Sequence, residues 1–216
     1  MGRFLIGTLM VWAALNAVNG FYSIQVVALG GGASLVGLAW VVGALVEIPI
    51  MWTFPRLSAR FGAERLLVTG GALFAVRNVL AALAPSGIVL VAIAPVEGAA
   101  FGLFFVGGVG YVAARAPTGL AGTAQGLFSA TTGLATIIGT GAAGIIASWL
   151  SIPGLFAVAA AVSAVAAIVV AGAVRGAVPP TSAETGTVPR LAAIAVHPPA
   201  GPPPAPLEEM QPCAIP

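Results

Sequence analysis

Three charged residues fall where an apolar sequence tolerates them least: Glu47, Arg77 and Glu97 each lie inside a long hydrophobic run. A charge near a bilayer centre is costly, so such residues face a bundle interior or a water-filled cavity and pair with one another. At about 1.5 Å of rise per helical residue, Arg77 lies about 18–20 Å from the charged end of its run, with Glu97 within one or two turns of that depth. That permits an ion pair. Glu47 lies nearer the charged end, about 12 Å in. Two acids and one base leave a carboxyl group over, and a carboxyl group without a basic partner at depth is held more readily in its neutral form. Glu47 or Glu97 is therefore expected to take up and release a proton. The alternative is a purely architectural Arg77–Glu97 bridge that fixes helix packing.

Uncharged polar residues extend the set. Asn16 and Asn19 lie three apart and share a helix face, which Tyr22 continues one turn on. Asn78 follows Arg77, and Gln125 opens a later apolar run. Asn16, Asn19, Tyr22, Asn78 and Gln125 are expected to line a solute cavity. Trp12, Trp40 and Trp52 could stack on a substrate ring, although anchoring at the membrane interface is the more usual use of tryptophan. Catalysis has no support: no intramembrane histidine could assist a nucleophile, no metal-ligand cluster appears, and no phosphate-binding glycine loop follows a strand. Neither a cofactor nor a metal is expected.

The elements that must position these residues follow from composition. Apolar residues make up 59% and charged residues 6% of the 216, with mean hydropathy +1.08. A soluble domain has about a quarter of its residues charged, so the chain reads as an all-α integral membrane bundle. Six spans are expected, each of about 20 residues or more, over residues 4–29, 34–54, 66–83, 88–113, 120–150 and 155–174. Proline ends the second span at Pro55, and a charge-dense loop follows to Arg65. The glycine-rich stretches 107–110 and 139–144 let helices approach closely.

Arg3, Arg56, Arg60, Arg65, Arg115 and Arg175 fall at one end of this arrangement, and the opposite loops carry no charge. The positive-inside rule then places both termini in the cytoplasm of a multi-pass cell-membrane protein. The net charge of +2 comes without a basic patch, so no nucleic-acid partner is expected. Residues 1–175 form the membrane domain; residues 176–216, which hold eleven of the seventeen prolines, read as a disordered cytoplasmic tail. The tail contains the only histidine, His197, and the only cysteine, Cys213, whose C-terminal tetrapeptide is a poor prenylation signal because it ends in Pro216.

The segment from Pro55 through Arg60-Phe61-Gly62 to Arg65 resembles the loop between the eighth and ninth helices of major facilitator transporters. The likeness is to the lactose permease, nucleoside symporter and phenylpropionate transporter branch. There, an arginine lies as far beyond the loop proline as Arg77 lies beyond Pro55, and in lactose-permease-like proteins it belongs to the proton-coupling network. By this resemblance Glu97 takes the place of the network's histidine, Ala100 replaces an acid one turn further on, and Asn16 and Asn19 stand for a pair of aspartates. Gln125 and the glycines up to Gly144 look like the eleventh helix. The family has twelve helices in two six-helix halves that hold substrate between them, and this chain supplies one half.

The resemblance implies proton-coupled secondary transport of a small organic solute. The expected partners are the bilayer, the solute, protons, and an N-terminal six-helix half or a second copy of this chain. A passive channel, a non-transporting membrane scaffold and a truncated fragment are the competing readings.

Overall fold

The computed structural model describes residues 1–176. The tail expected beyond residue 175, with His197 and Cys213, lies outside the described residues apart from Gly176. The described chain is helical throughout: α1 (Gly2–Ala28), α2 (Ala33–Phe61), α3 (Ala63–Ala82), α4 (Gly87–Arg115) and α5 (Ala121–Arg175). All five are long and apolar enough to cross a membrane. In hydrocarbon every backbone N–H and C=O must be satisfied within the segment, which leaves the helix as the form available to runs this apolar.

Two boundaries differ from the sequence reading. The second helix does not stop at Pro55. It runs six residues further, to Phe61, so most of the expected Pro55–Arg65 loop is helix. Pro55 forfeits one backbone bond, a loss that membrane helices tolerate, while Arg60 in the last turn complements the C-terminal dipole. The joint is instead Gly62, at φ +86°, a conformation that a side chain disfavours. Glu64 then opens α3 in its first turn.

The second difference concerns the expected fifth and sixth spans, which form the single 55-residue element α5. A straight helix of that length would measure about 80 Å. It is not straight: Ser151 has φ 67° and ψ 172°, outside helical geometry. Ile138, Gly139 and Ile146 on one side of Ser151, and Leu155, Ala159 and Val162 on the other, line the same apolar cavity against residues 9–17 of α1. The chain therefore reverses at Ser151, and α1 lies along both segments, 121–150 and 152–175.

Two apolar clusters fill the interior. One joins Phe4, Leu67, Phe104, Tyr111, Phe128 and Val170 toward the arginine-bearing end. The other joins Val18, Tyr22, Val26, Leu90 and Phe156 toward the opposite end. At the arginine-bearing end, Arg115 of α4 forms an ion pair with Glu64 of α3 and stacks 3.9 Å over the Tyr111 ring. By contrast, α2 is buried along little of its length, and Trp52 is 81% exposed.

Candidate functional site

The polar residues at depth meet between α1, α2, α3 and α4. Arg77 is 1% exposed, and its Nη2 donates to Glu97 Oε2 at 2.8 Å. Its Nη1 donates to Asn78 Oδ1 at 2.9 Å, and Asn78 Nδ2 donates in turn to Ser163 Oγ at 3.4 Å. The guanidinium carbon lies 5.4 Å from the Tyr22 ring and 5.5 Å from the Phe156 ring, so two aromatic faces hold the cation as well. Two acceptors and two π faces thus surround the Arg77 guanidinium. A buried charge needs such compensation, because an unpaired one costs several kcal/mol, by the order of magnitude of ion desolvation.

In front of this network lies a cavity of about 240 Å³, lined in part by Asn19, Tyr22, Trp40, Glu47, Glu97 and Phe101. Among the described residues Glu47 forms no ion pair, whereas Glu97 is held by Arg77. The two carboxylates reach one cavity because α2 and α4 cross backbone to backbone. A Cβ on Gly98, next to Glu97, would collide with the carbonyl oxygen of Gly43 and stand 3.2 Å from the amide nitrogen of Glu47. Glycine at 98 is what lets Glu47 and Glu97 share a wall. Tyr22 donates its hydroxyl to the Leu90 carbonyl at 3.2 Å, fixing the ring, and the Trp40 ring lies at 63° to it with centroids 6.1 Å apart. Asn19 Oδ1 is buried and has no hydrogen-bond partner.

Of the residues expected to line a solute site, Asn19 and Tyr22 line this cavity beside Glu47 and Glu97, and Arg77 and Asn78 stand directly behind them. Asn16 does not: its Nδ2 donates to the Trp12 carbonyl of its own helix at 2.7 Å. Gln125 lies elsewhere, with Nε2 donating to the Val109 carbonyl at 2.9 Å. Val109 is about 18 Å along α4 from Glu97 at the helical rise. Trp12 packs edge-on against Phe101 and Phe105, and Trp40 alone of the three tryptophans lines the cavity.

Of the residues noted in the 55–65 segment, Pro55 and Arg60 lie on α2, Gly62 is the joint, and Arg65 lies near Glu64 and Arg175 around a polar cleft. Three participants escaped the sequence reading. Ser163, fully buried, receives the Asn78 amide; a lone hydroxyl in an apolar span was its only signal. Gly98 and Gly43 gave less, since single glycines among many do not announce a crossing point.

The chain matches the model of the MFS_1 like family over residues 1–158. It is similar to the maltose permease of Geobacillus stearothermophilus, 30% identical over 126 residues, which is 58% of this chain and 32% of that permease. The aligned stretch thus spans about a third of the length of that relative. Five apolar helices of membrane-crossing length and a family match over most of the chain make this a multi-pass membrane protein that belongs to the MFS_1 like family of major facilitator transporters.

Proposed function

We propose that this chain is one bundle of a proton-coupled secondary transporter for a small organic solute, working by alternating access against a second six-helix bundle. The observation that carries this reading is the pairing of one neutralised carboxylate, Glu97 on Arg77, with one unpaired carboxylate, Glu47, on the wall of a single cavity. In this reading Glu47 takes up and releases the proton, and Arg77 and Glu97 set the field around it. Asn19, Tyr22 and Asn78 shape the solute site. The reversal at Ser151 supports counting α5 as two crossings; six crossings leave both ends of the membrane domain on one side, and the arginines there favour the cytoplasm. The exposed length of α2, with Trp40, Leu45 and Ile48 uncovered, supports a partner bundle there, either an N-terminal half or a second copy. The lactose-permease-like branch belongs to the same proposal and rests on the spacing of Arg77 beyond Pro55.

The test uses the full chain in proteoliposomes loaded with a pH-sensitive dye, alone and with a six-helix N-terminal bundle. Sugars, nucleosides, aromatic acids and amines are added in turn under an imposed pH gradient. Solute-dependent proton movement is expected, and Glu47→Gln and Glu97→Gln should each abolish it. Undiminished movement in both variants overturns the proton-coupling assignment. Solute flux indifferent to the gradient identifies a passive pore instead.

A further inference from the structure

The cavity beside Glu47 also bears on the class of solute, an inference that rests on reading it as the solute site. Its charge balance is one-sided. Arg77 and Glu97 neutralise each other at 2.8 Å, and Arg77 is enclosed by Asn78, Tyr22 and Phe156 with 1% exposure, so it offers the cavity no free cation. Glu47 remains, without an ion-pair partner among the described residues.

The hydrogen-bonding balance points the same way. The Tyr22 hydroxyl proton is spent on the Leu90 carbonyl, so that wall offers the cavity no free donor for an anion. The remaining walls are aromatic: Tyr22 and Trp40 meet at 63°, Phe101 lines another side, and Trp40 is 49% exposed. Aromatic faces with a carboxylate attract a cation, and Trp does so best. The volume of about 240 Å³ lies below the roughly 300–1,000 Å³ typical of pockets for drug-sized ligands.

We infer that the solute is a small monovalent organic ammonium, its charge on Glu47 and its apolar body against Tyr22, Trp40 and Phe101. An organic anion meets a like charge in this cavity. A sugar meets acceptors and rings but few free donors for its hydroxyl oxygens.

Calorimetric titration of the full chain in lipid nanodiscs at neutral pH tests this with four probes: phenethylammonium, the neutral 2-phenylethanol, the anionic 3-phenylpropionate, and maltose. Phenethylammonium should bind at least about tenfold more tightly than any of the others. Glu47→Gln should weaken the ammonium at least about tenfold and weaken 2-phenylethanol by less. Tighter or equal binding of 3-phenylpropionate or maltose overturns the inference, as does binding of none of the probes. The ranking is measured on the unmodified protein, so a variant that fails to fold does not remove the test. The transport reading fails separately: ammonium binding without solute-dependent proton movement overturns transport alone. Proton movement driven by maltose or 3-phenylpropionate, but not by phenethylammonium, overturns the cation class alone.

Discussion

Removing the guanidinium at position 77 strands the Glu97 carboxylate at depth, whereas removing both charges strands nothing. Arg77→Ala should therefore lower stability by about 3–5 kcal/mol, while the double change Arg77→Met with Glu97→Met should restore most of it. Thermal unfolding of the purified protein in one detergent gives both values, and an additive result for the pair would contradict the coupling. Glu47→Gln breaks no ion pair, so its stability should stay within about 0.5 kcal/mol of the parent while solute-dependent behaviour changes. At this scale the sequence was informative because buried charge is rare in so apolar a chain. Helix rise alone brought Arg77 and Glu97 to matching depth. The spacing of three put Asn16 and Asn19 on one helix face, but it does not tell which side chain on a face bonds back to its own helix. Asn16 turns back onto the Trp12 carbonyl, and Asn19 faces the cavity.

Helices α2 and α4 depend on Gly98 for their closeness. Gly98→Val would wedge the Gly43 carbonyl away from α4 and should cost about 1–3 kcal/mol by overpacking. Gly110 faces open space, so Gly110→Ala should be nearly neutral in the same unfolding assay. Equal effects would show that the crossing does not matter to stability. Ser151 is the other element-scale test. Its φ of 67° with ψ of 172° lies in a region that is essentially glycine's, at a cost of about 1–3 kcal/mol for other residues. Ser151→Gly should raise the unfolding temperature, and Ser151→Val should lower it. Helix extents were legible in the sequence wherever a glycine or an uncharged turn interrupted the apolar run. Pro55 misled because a proline removes one backbone bond without ending a helix that its neighbours continue. Of the glycine-rich stretches, Gly107, Gly108 and Gly139 do meet neighbouring helices, while Gly141 and Gly144 face open space. Composition does not reveal which side of a helix is covered.

Across the whole molecule, topology is the quantity to test. In a Cys213→Ser background, Ser86→Cys should react with a membrane-impermeant thiol reagent on intact cells, and Arg60→Cys only after permeabilisation. The reverse pattern would place the arginine-bearing end outside. The orientation drawn from the arginines is what the labelling decides. The hydropathy pattern carried the existence of long apolar helices, because lipid imposes one rule on every span. It could not reveal that α1 is clasped by both segments of α5, since that arrangement depends on small residues meeting across chain-distant helices. The reversal at Ser151 also bears on how the chain is made. Between Arg115 and Arg175 no residue is charged, so a ribosome-bound insertion machinery meets no hydrophilic stop signal within α5. If α5 crosses twice, residues 121–150 and 152–175 are expected to partition into lipid as a pair, with only the uncharged turn at Ser151 to carry across the bilayer. A charge introduced near that turn is then expected to burden translocation before it affects any folded contact.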